Sequence, residues 1–304
     1  MTGITFWKKI FVFILCLILL DFLVGKALEH FYFTQKSGKL HNVTIALEQQ
    51  TCEVLIFGSS RAMHHYDPEI ITDTLGLSCY NIGYDGQSIM YCNGVLDVIL
   101  ERYTPKMIVL DINPMDFEET AGAYDLLYVL NPYAKRHPVL WNTLSLKTTA
   151  EKIKHLSSIY PYNSMILRIA AGNIPGKRKD TSDNGFTAQE GTWPDIAKSE
   201  FYPAVTLDMN KIDAFNSFCL KCSENNIKLY VVVSPMYKLV ENTSSTIDYL
   251  IQKCSTSNIL FIDYTSVNKY ANNAYFLDPD HLNVIGSNLF SKDIAHKISL
   301  SLSD

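Results

Sequence analysis

The sequence lacks the surplus of basic residues that nucleic-acid binding requires. Its 304 residues include 26 Lys and Arg against 31 Asp and Glu, which gives a formal net charge of −5. Because phosphate contacts need a basic patch, we expect no nucleic-acid partner. The chain also has no internal repeat, heptad pattern or low-complexity tract, and this argues against solenoid and coiled-coil architectures. With 47% apolar residues, the chain is long enough for one large globular domain or two small ones.

Metal and redox motifs are also scarce. The pair His64-His65 has no acidic or cysteine partner at a spacing typical of zinc sites. Cys219 and Cys222 form a Cys-x-x-Cys, but it lies within a predicted helix instead of at the helix start that redox sites use. We therefore expect no metal and no cofactor. The sequence has seven cysteines, and their spacing alone does not assign disulfide partners.

One long apolar run stands near the N-terminus. It covers residues 10–20, resumes after Asp21, and is close to the shortest length that spans a membrane. A cleaved signal peptide is the alternative, but the cleavage signal is weak, with Gly25-Lys26-Ala27 as the best candidate. We therefore favour an uncleaved signal anchor over residues 1–33, which crosses the membrane through residues 10–25.

The charges beside this run indicate its orientation. Lys8-Lys9 favours a cytoplasmic N-terminus, although Lys26, Lys36 and Lys39 on the other side weaken the signal. We expect a single-pass protein whose main domain lies outside the cytoplasm, in the periplasm or at the cell surface. A polar juxtamembrane segment is predicted over residues 34–52, with one folded domain over residues 53–304.

From residue 53 onward, predicted strands alternate with predicted helices. Helices are expected from Asp67-Pro68 to Gly76, over residues 88–102 and over residues 284–300. This alternation predicts a three-layer α/β/α sandwich with a mainly five-stranded parallel sheet, similar to flavodoxin. The five strands are predicted over residues 54–57, 78–81, 107–112, 228–234 and 259–263.

Residues 115–207 do not follow this alternation and are predicted to be an insertion. They are rich in Tyr, Pro, Asn and Trp, and a structureless run of this length is uncommon inside a compact domain. We expect partial helix, notably over residues 143–159. The insertion is either a lid over the site or an ordinary surface insertion.

Polar motifs stand where the predicted strands end. Gly58-Ser59-Ser60 follows the first strand, the motif from Asn81 to Gly86 follows the second, and Asn113 follows the third. The fourth motif, Asp278-Pro279-Asp280-His281, precedes the last helix. Taken singly, each is also explained as a turn or a helix cap. In a parallel sheet, the carboxyl ends of the strands meet at one edge, which is where such sheets carry their sites.

In this order the four motifs resemble the SGNH/GDSL hydrolase superfamily, from residue 53 to the C-terminus. The resemblance implies that Ser60 is the nucleophile, His281 its general base and Asp278 the residue that orients the imidazole. It also implies an oxyanion hole made of the backbone N–H groups of Ser60 and Gly86 and the side-chain amide of Asn113. The expected reaction proceeds through an acyl-enzyme on the serine.

The sequence departs from the family pattern around the serine. Ser59 stands where the family has Asp, so Ser59 is an alternative nucleophile. Arg61 follows where Leu or Ile is usual, and it is expected either to bind an anionic group of the substrate or to pair with a carboxylate.

Gly-Ser-Ser-Arg together with a membrane anchor is similar to the envelope-bound branch of the superfamily, whose members move acyl or D-alanyl groups on cell-surface polymers. The resemblance implies a serine esterase that acts on an acylated carbohydrate or another ester, most specifically an acyl group on a cell-surface glycan. One alternative is an acyltransferase that passes the group to an envelope polysaccharide. Another is a catalytically silent glycan-binding scaffold in an envelope-assembly complex.

Overall fold

A five-stranded parallel sheet forms the centre of the molecule, as the sequence predicts. The computed structural model describes residues 2–174, 184–257 and 259–303. The spatial order of the main strands is β2-β1-β3-β5-β7, and β4 pairs with β6 in a separate parallel ribbon. The strands are β1 (Val54–Phe57), β2 (Cys79–Asn81), β3 (Met107–Asp111), β4 (Lys198–Glu200), β5 (Lys228–Val233), β6 (Lys238–Val240) and β7 (Leu260–Asp263).

Helices surround the sheet and fill the insertion. The first nine are α1 (Thr2–Phe33), α2 (Lys39–Thr44), α3 (Ser60–His65), α4 (Pro68–Leu75), α5 (Ile89–Leu100), α6 (Ala121–Asp125), α7 (Leu140–Leu144), α8 (Glu151–Lys154) and α9 (Ile166–Gly172). The later ones are α10 (Met209–Glu224), α11 (Ser245–Ser257) and α12 (Val284–Ser303).

The apolar side chains of the strands alternate between two cores, which makes the architecture a three-layer sandwich. In β1, Leu55 and Phe57 belong to the core under α5, α10 and α11. Val54 and Ile56 belong to the opposite core, which α4 and α12 cover. All four side chains are fully buried, so the strand shows a continuous apolar run with no alternation of polarity.

Helix α4 confirms the predicted capping pattern. The side chain of Asp67 accepts from the backbone N–H of Glu69 at 2.9 Å, and Pro68 takes the first helical position. Gly76 ends the helix with φ of 67°, in the left-handed region that favours glycine.

The partial helix expected in the insertion, notably over residues 143–159, is present as short pieces. The segment forms α7 and α8, separated by turns. Serine and threonine side chains compete for backbone groups there, because Ser145 Oγ donates to Trp141 O at 2.6 Å and Thr148 Oγ1 accepts from Ala150 N–H at 3.3 Å. The central part of the insertion, residues 175–183, lies outside the described residues.

The separate juxtamembrane segment predicted over residues 34–52 is not a separate unit. Leu40, Val43 and Leu47 are buried in the same core as β1 and α5. The side chain of Tyr32, at the end of α1, is also buried there and donates to Tyr133 Oη at 3.1 Å. The folded domain therefore begins inside α1 instead of at residue 53.

Candidate active site

Ser60 occupies the sharp turn between β1 and α3. Gly58 has φ of 146°, and a Cβ at this position would lie 2.7 Å from the carbonyl oxygen of Asp111, so the turn requires glycine. Ser59 is the N-cap of α3, and its Oγ accepts from the N–H of Ser60 at 2.6 Å. Ser60 is thus the first residue of the helix, at the carboxyl edge of the sheet where the sequence motifs converge.

The structure brings Ser60, His281 and Asp278 into one line of hydrogen bonds. Ser60 Oγ lies 2.8 Å from His281 Nε2. His281 Nδ1 lies 2.9 and 3.0 Å from the two carboxylate oxygens of Asp278. Residues separated by 221 positions in the chain therefore meet with the geometry of a nucleophile, a base and an orienting carboxylate.

The loop that carries His281 is closed on itself. Phe276 and Leu282 form an antiparallel bridge, and the N–H of Leu277 donates to His281 O at 2.9 Å. Asp278 Oδ1 also accepts from the backbone N–H of His281 at 2.9 Å. Burial raises the pKa of Asp278, but the hydrogen bonds from the His281 ring and from the loop N–H groups outweigh it and hold the pKa below its ordinary value.

A second histidine supports this loop, and no sequence motif predicts this role. His65 is buried at the end of α3, where its Nε2 accepts from the N–H of Leu282 at 3.0 Å. Its Nδ1 lies 2.9 Å from Ser234 Oγ. Burial and the positive charge of Arg61 lower the pKa of His65 well below its ordinary value. The ring is therefore neutral, with the proton on Nδ1 donated to the serine.

The expectation that Arg61 binds substrate is wrong. Its side chain is only 2% exposed, with Nε 3.7 Å from Asp111 Oδ1. The guanidinium also donates to the carbonyl oxygen and to the hydroxyl of Ser234, the latter at 2.8 Å. Burial raises the pKa of Asp111, while Arg61 and the hydroxyl of Tyr66 act in the opposite direction. The alternative expectation, in which the arginine pairs with a carboxylate, matches the contacts.

The three groups expected to form the oxyanion hole have different surroundings. The N–H of Ser60 points to the hydroxyl of Ser59 at 2.6 Å, so a substrate oxygen has to compete with that hydroxyl. Gly86 is exposed with φ of 70° in the loop after β2. Asn113 is half-buried, and its Oδ1 accepts from the N–H of Met115 at 3.0 Å, which fixes the rotation of the amide.

The carboxyl group of Asp116 holds the backbone at Asn113 in place. Asp116 Oδ2 accepts from the backbone N–H of Asn113 at 2.8 Å. Burial raises the pKa of Asp116 to about 6. This bond fixes the turn that follows β3.

His64 and the insertion border the site on the other side. The ring of His64 lies 5.9 Å from that of His281, with Nδ1 2.7 Å from the carbonyl oxygen of Thr187. Its Nε2 is 3.2 Å from Asp85 Oδ1, and the other oxygen of this carboxylate contacts Lys39 of α2. Burial raises the pKa of Asp85, but the hydrogen bonds from His64 and Lys39 outweigh it and lower the pKa.

The remaining candidate sites stay outside this arrangement. The seven cysteines all lie in the described part of the chain and are free thiols. Burial raises the pKa of Cys219 and of Cys222 to about 12, so neither is a reactive thiolate at neutral pH. Within residues 2–174, 184–257 and 259–303, no group of three or more His, Cys, Asp or Glu side chains is arranged to hold a metal ion.

No family model and no curated protein matches the chain. Among solved structures, the chain is similar to the following two proteins. One, from Desulfitobacterium hafniense DCB-2, is provisionally assigned as a lipolytic protein of the G-D-S-L family; identity is 10%, with 80% of this chain and 98% of that chain covered. The other, from Bacteroides fragilis NCTC 9343, is provisionally assigned as an acylhydrolase; identity is 12%, with 82% and 87% covered. Both TM-scores are 0.39, which is too low for the likeness to support a conclusion about function.

Proposed function

We propose that the chain is a serine esterase that uses Ser60, His281 and Asp278. One observation carries the proposal: Ser60 Oγ lies 2.8 Å from His281 Nε2, and Asp278 accepts from the other ring nitrogen at 2.9 Å. Serine becomes an effective nucleophile when a base at this distance removes its proton during attack. A silent scaffold needs no such contact, so the geometry favours an enzyme.

In the proposed reaction, Ser60 Oγ attacks the carbonyl carbon of the ester, and its proton passes to His281 Nε2. The bond between the carbonyl carbon and the alcohol oxygen then breaks, and His281 returns the proton to the leaving alkoxide. Water repeats the sequence on the acyl-enzyme and releases the carboxylic acid. Asp278 stays ionised, because its pKa is held low, and stabilises the imidazolium in both halves.

The negative charge that develops on the carbonyl oxygen needs fixed donors. We propose the backbone N–H groups of Ser60 and Gly86 and the side-chain amide of Asn113 for this role. The Asn113 amide is fixed by its bond to Met115 N–H, so it does not have to reorient during the reaction. The substrate oxygen would replace Ser59 Oγ as the acceptor of the Ser60 N–H.

We propose an acyl group on a cell-surface glycan as the substrate and a location outside the cytoplasm for the domain. The supports are the Gly-Ser-Ser-Arg motif and helix α1, of which residues Thr5–Phe33 are long and apolar enough to cross a membrane. Lys8-Lys9 at its start favours a cytoplasmic N-terminus.

The test uses the full chain in detergent with an activated acetyl ester and then with an O-acetylated polysaccharide. We expect acetate release from both, at rates that fall by several orders of magnitude in Ser60→Ala. Acetyl groups that appear on an added oligosaccharide instead of in water identify an acyltransferase that uses the same residues. A folded wild-type protein that releases and transfers nothing, and whose Ser60→Ala variant behaves identically, rejects the proposal.

A further inference from the structure

The insertion exposes large apolar side chains beside α1. Leu156, just after α8, is 82% exposed, and Leu167, in α9, is 86% exposed. Ile153 and Ile166, next to them in the chain, are also exposed. Both α9 and the turn of 3₁₀ helix before it (Tyr160–Met165) pack against α1. Exposed apolar groups concentrated in one place indicate a surface that contacts another apolar phase.

The same part of the insertion is fixed to α1 by direct contacts. Asp21 accepts from Ser157 Oγ at 2.5 Å and from the backbone N–H of Ser158 at 2.6 Å. One turn further along, a Cβ on Gly25 would overlap Ser158, so the helix and the turn are in van der Waals contact. The turn at residues 157–158 therefore has a defined height along α1, between residues 21 and 25.

Helix geometry places this height within the membrane span. A hydrocarbon core of about 30 Å needs about 20 helical residues at 1.5 Å each. If the span begins after Lys9, it covers residues 10–29; if it begins at Thr5, it covers residues 5–24. Asp21 falls inside the span in both cases, and so does the level of the turn that contacts it.

The partners of Asp21 support this placement. A carboxylate inside a span is costly unless protein groups satisfy it. The positions one turn away on α1 are Leu17, Ile18, Val24 and Gly25, and none of them has a side-chain donor. Here the donors come from the insertion, through Ser157 Oγ and Ser158 N–H. The insertion must therefore reach the level of Asp21, inside the span, whenever α1 is inserted.

We propose that residues 153–167 form a membrane-facing surface that enters the bilayer beside α1. Leu156 precedes the turn at the level of Asp21 and is placed in the hydrocarbon. Leu167 lies higher, because the end of its helix contacts the end of α1: Asn173 Nδ2 donates to Phe31 O at 2.8 Å. The partner is the lipid bilayer, and the inference rests on the proposal that α1 spans it.

The charges around this surface suit a bilayer boundary. Lys152 and Lys154 alternate with Ile153 in the chain. Lysine side chains can place their apolar stems beside lipid tails while the ammonium groups reach the headgroups, and anionic lipids attract them. The consequence is a domain held in a fixed orientation on the membrane instead of one that moves freely at the end of a tether.

The test measures depth with one fluorophore at a time. Five of the seven cysteines are buried, so replacement of Cys16 and Cys52 by serine leaves a background that thiol reagents do not label. An environment-sensitive NBD group is attached at Leu156→Cys or Leu167→Cys in this background. Leu220→Cys, on α10, is the matched control because it is also an exposed leucine. In a Cys52→Ser protein, the NBD group is attached to native Cys16 and reports the depth of α1 in the membrane.

Each labelled full-length protein is reconstituted into phosphatidylcholine vesicles that contain a minority of phosphatidylglycerol. Lipids carry a doxyl quencher either near the headgroup or deep in the chain. We expect quenching at residue 16 mainly by the deep quencher, at residue 156 by both, and at residue 167 mainly by the shallow one. The label at residue 220 should not be quenched.

The outcomes separate this inference from the proposal on which it rests. Quenching at residue 16 with none at residues 156 and 167 rejects the membrane-facing surface and leaves the anchor intact. Absence of quenching at residue 16 rejects the anchor, and the surface with it. Neither outcome affects the chemistry proposed for Ser60.

Discussion

His65 Nε2 accepts the backbone N–H of Leu282 at 3.0 Å. His65 ends the helix that begins at Ser60, and Leu282 directly follows His281. One buried ring thus joins the helix of the proposed nucleophile to the loop of the proposed base. The neutral state of the ring, which burial and the charge of Arg61 impose, is the state in which Nε2 can accept.

This contact predicts that His65 is a positioning residue. Replacement by leucine leaves the Leu282 N–H without an acceptor, which costs about 1–3 kcal/mol of stability and loosens the loop that carries His281. We expect His65→Leu to lower kcat by about tenfold or more with little change in KM, because the side chain of His65 is fully buried. His65→Gln keeps an acceptor and should recover part of kcat. Kinetics on an acetyl ester, together with urea unfolding, give both quantities.

If His65→Leu loses stability but keeps its kcat, the histidine only supports the fold. If His65→Gln restores stability without restoring kcat, the bond to the Leu282 N–H is not what positions His281, and the role assigned to this contact is wrong.

The role proposed for Asp278 predicts that its replacement lowers kcat. Asp278→Asn removes the carboxylate that fixes the His281 tautomer and stabilises the imidazolium. We expect kcat to fall on the order of 10⁴-fold at neutral pH with the fold intact. Circular dichroism checks the fold, and kcat on the acetyl ester checks the rate. Asp280→Asn, on the same loop, is the matched control and should lose little activity; an equal loss in both variants would argue for a general distortion of the loop.

Ser59 provides a test of which serine reacts. Its hydroxyl caps α3 and lies beside the N–H of Ser60, so Ser59→Ala should cost about 1 kcal/mol of stability. The variant should remain active, because the contact with His281 belongs to Ser60. Acetyl-ester hydrolysis by Ser59→Ala and Ser60→Ala, measured side by side, checks this. Loss of activity only in Ser59→Ala would assign the nucleophile to residue 59.

The raised pKa of Asp116 predicts that the stability of the fold depends on pH. Its pKa of about 6 in the folded chain lies above the value of about 3.9 expected when unfolded, so the folded state binds more protons between these values. The resulting stabilisation is complete below about pH 4 and is lost as pH rises through 6. The loss amounts to about 3 kcal/mol.

The measurement is urea unfolding of the wild type and of Asp116→Asn in detergent from pH 4 to 8. The difference between the free energies of unfolding of the two proteins should change across this pH window, because the contributions of titrating groups that both proteins share cancel. A difference that stays constant with pH would mean that Asp116 titrates normally. The bond from the Asn113 N–H can be kept by the amide oxygen of the variant, so the turn itself should persist.

The sheet could be predicted because its central strands β1, β3 and β5 are buried on both faces and therefore appear as apolar runs. The ribbon of β4 and β6 could not, since Lys198-Ser199-Glu200 is polar and carries no strand pattern. The partial helix expected over residues 143–159 is divided into α7 and α8, and apolar spacing does not reveal the hydroxyl groups of Ser145 and Thr148 that bind the backbone between them. The packing of residues 34–52 was missed because a polar composition conceals its four buried apolar side chains, Leu40, Val43, Ala46 and Leu47.

Ser60, His281 and Asp278 could be selected from the sequence as candidate site residues because each stands in a short motif. His65 and Ser234 were not, since their contacts join α3 to the end of β5 and to the last loop, across about 170 to 220 positions. Arg61 was misjudged because only the fold shows that its neighbours are Asp111 and Ser234. A charged residue beside a candidate nucleophile gives no indication of which way its side chain points.

The most direct test of the account is mass spectrometry of the full chain after exposure to a fluorophosphonate. The account predicts a covalent adduct on Ser60 that is absent from His281→Ala, because the serine reacts only when the base lies 2.8 Å away. An adduct on Ser60 that persists at the same rate in His281→Ala would contradict it. So would a folded wild-type protein that hydrolyses an acetyl ester and carries its adduct at another residue.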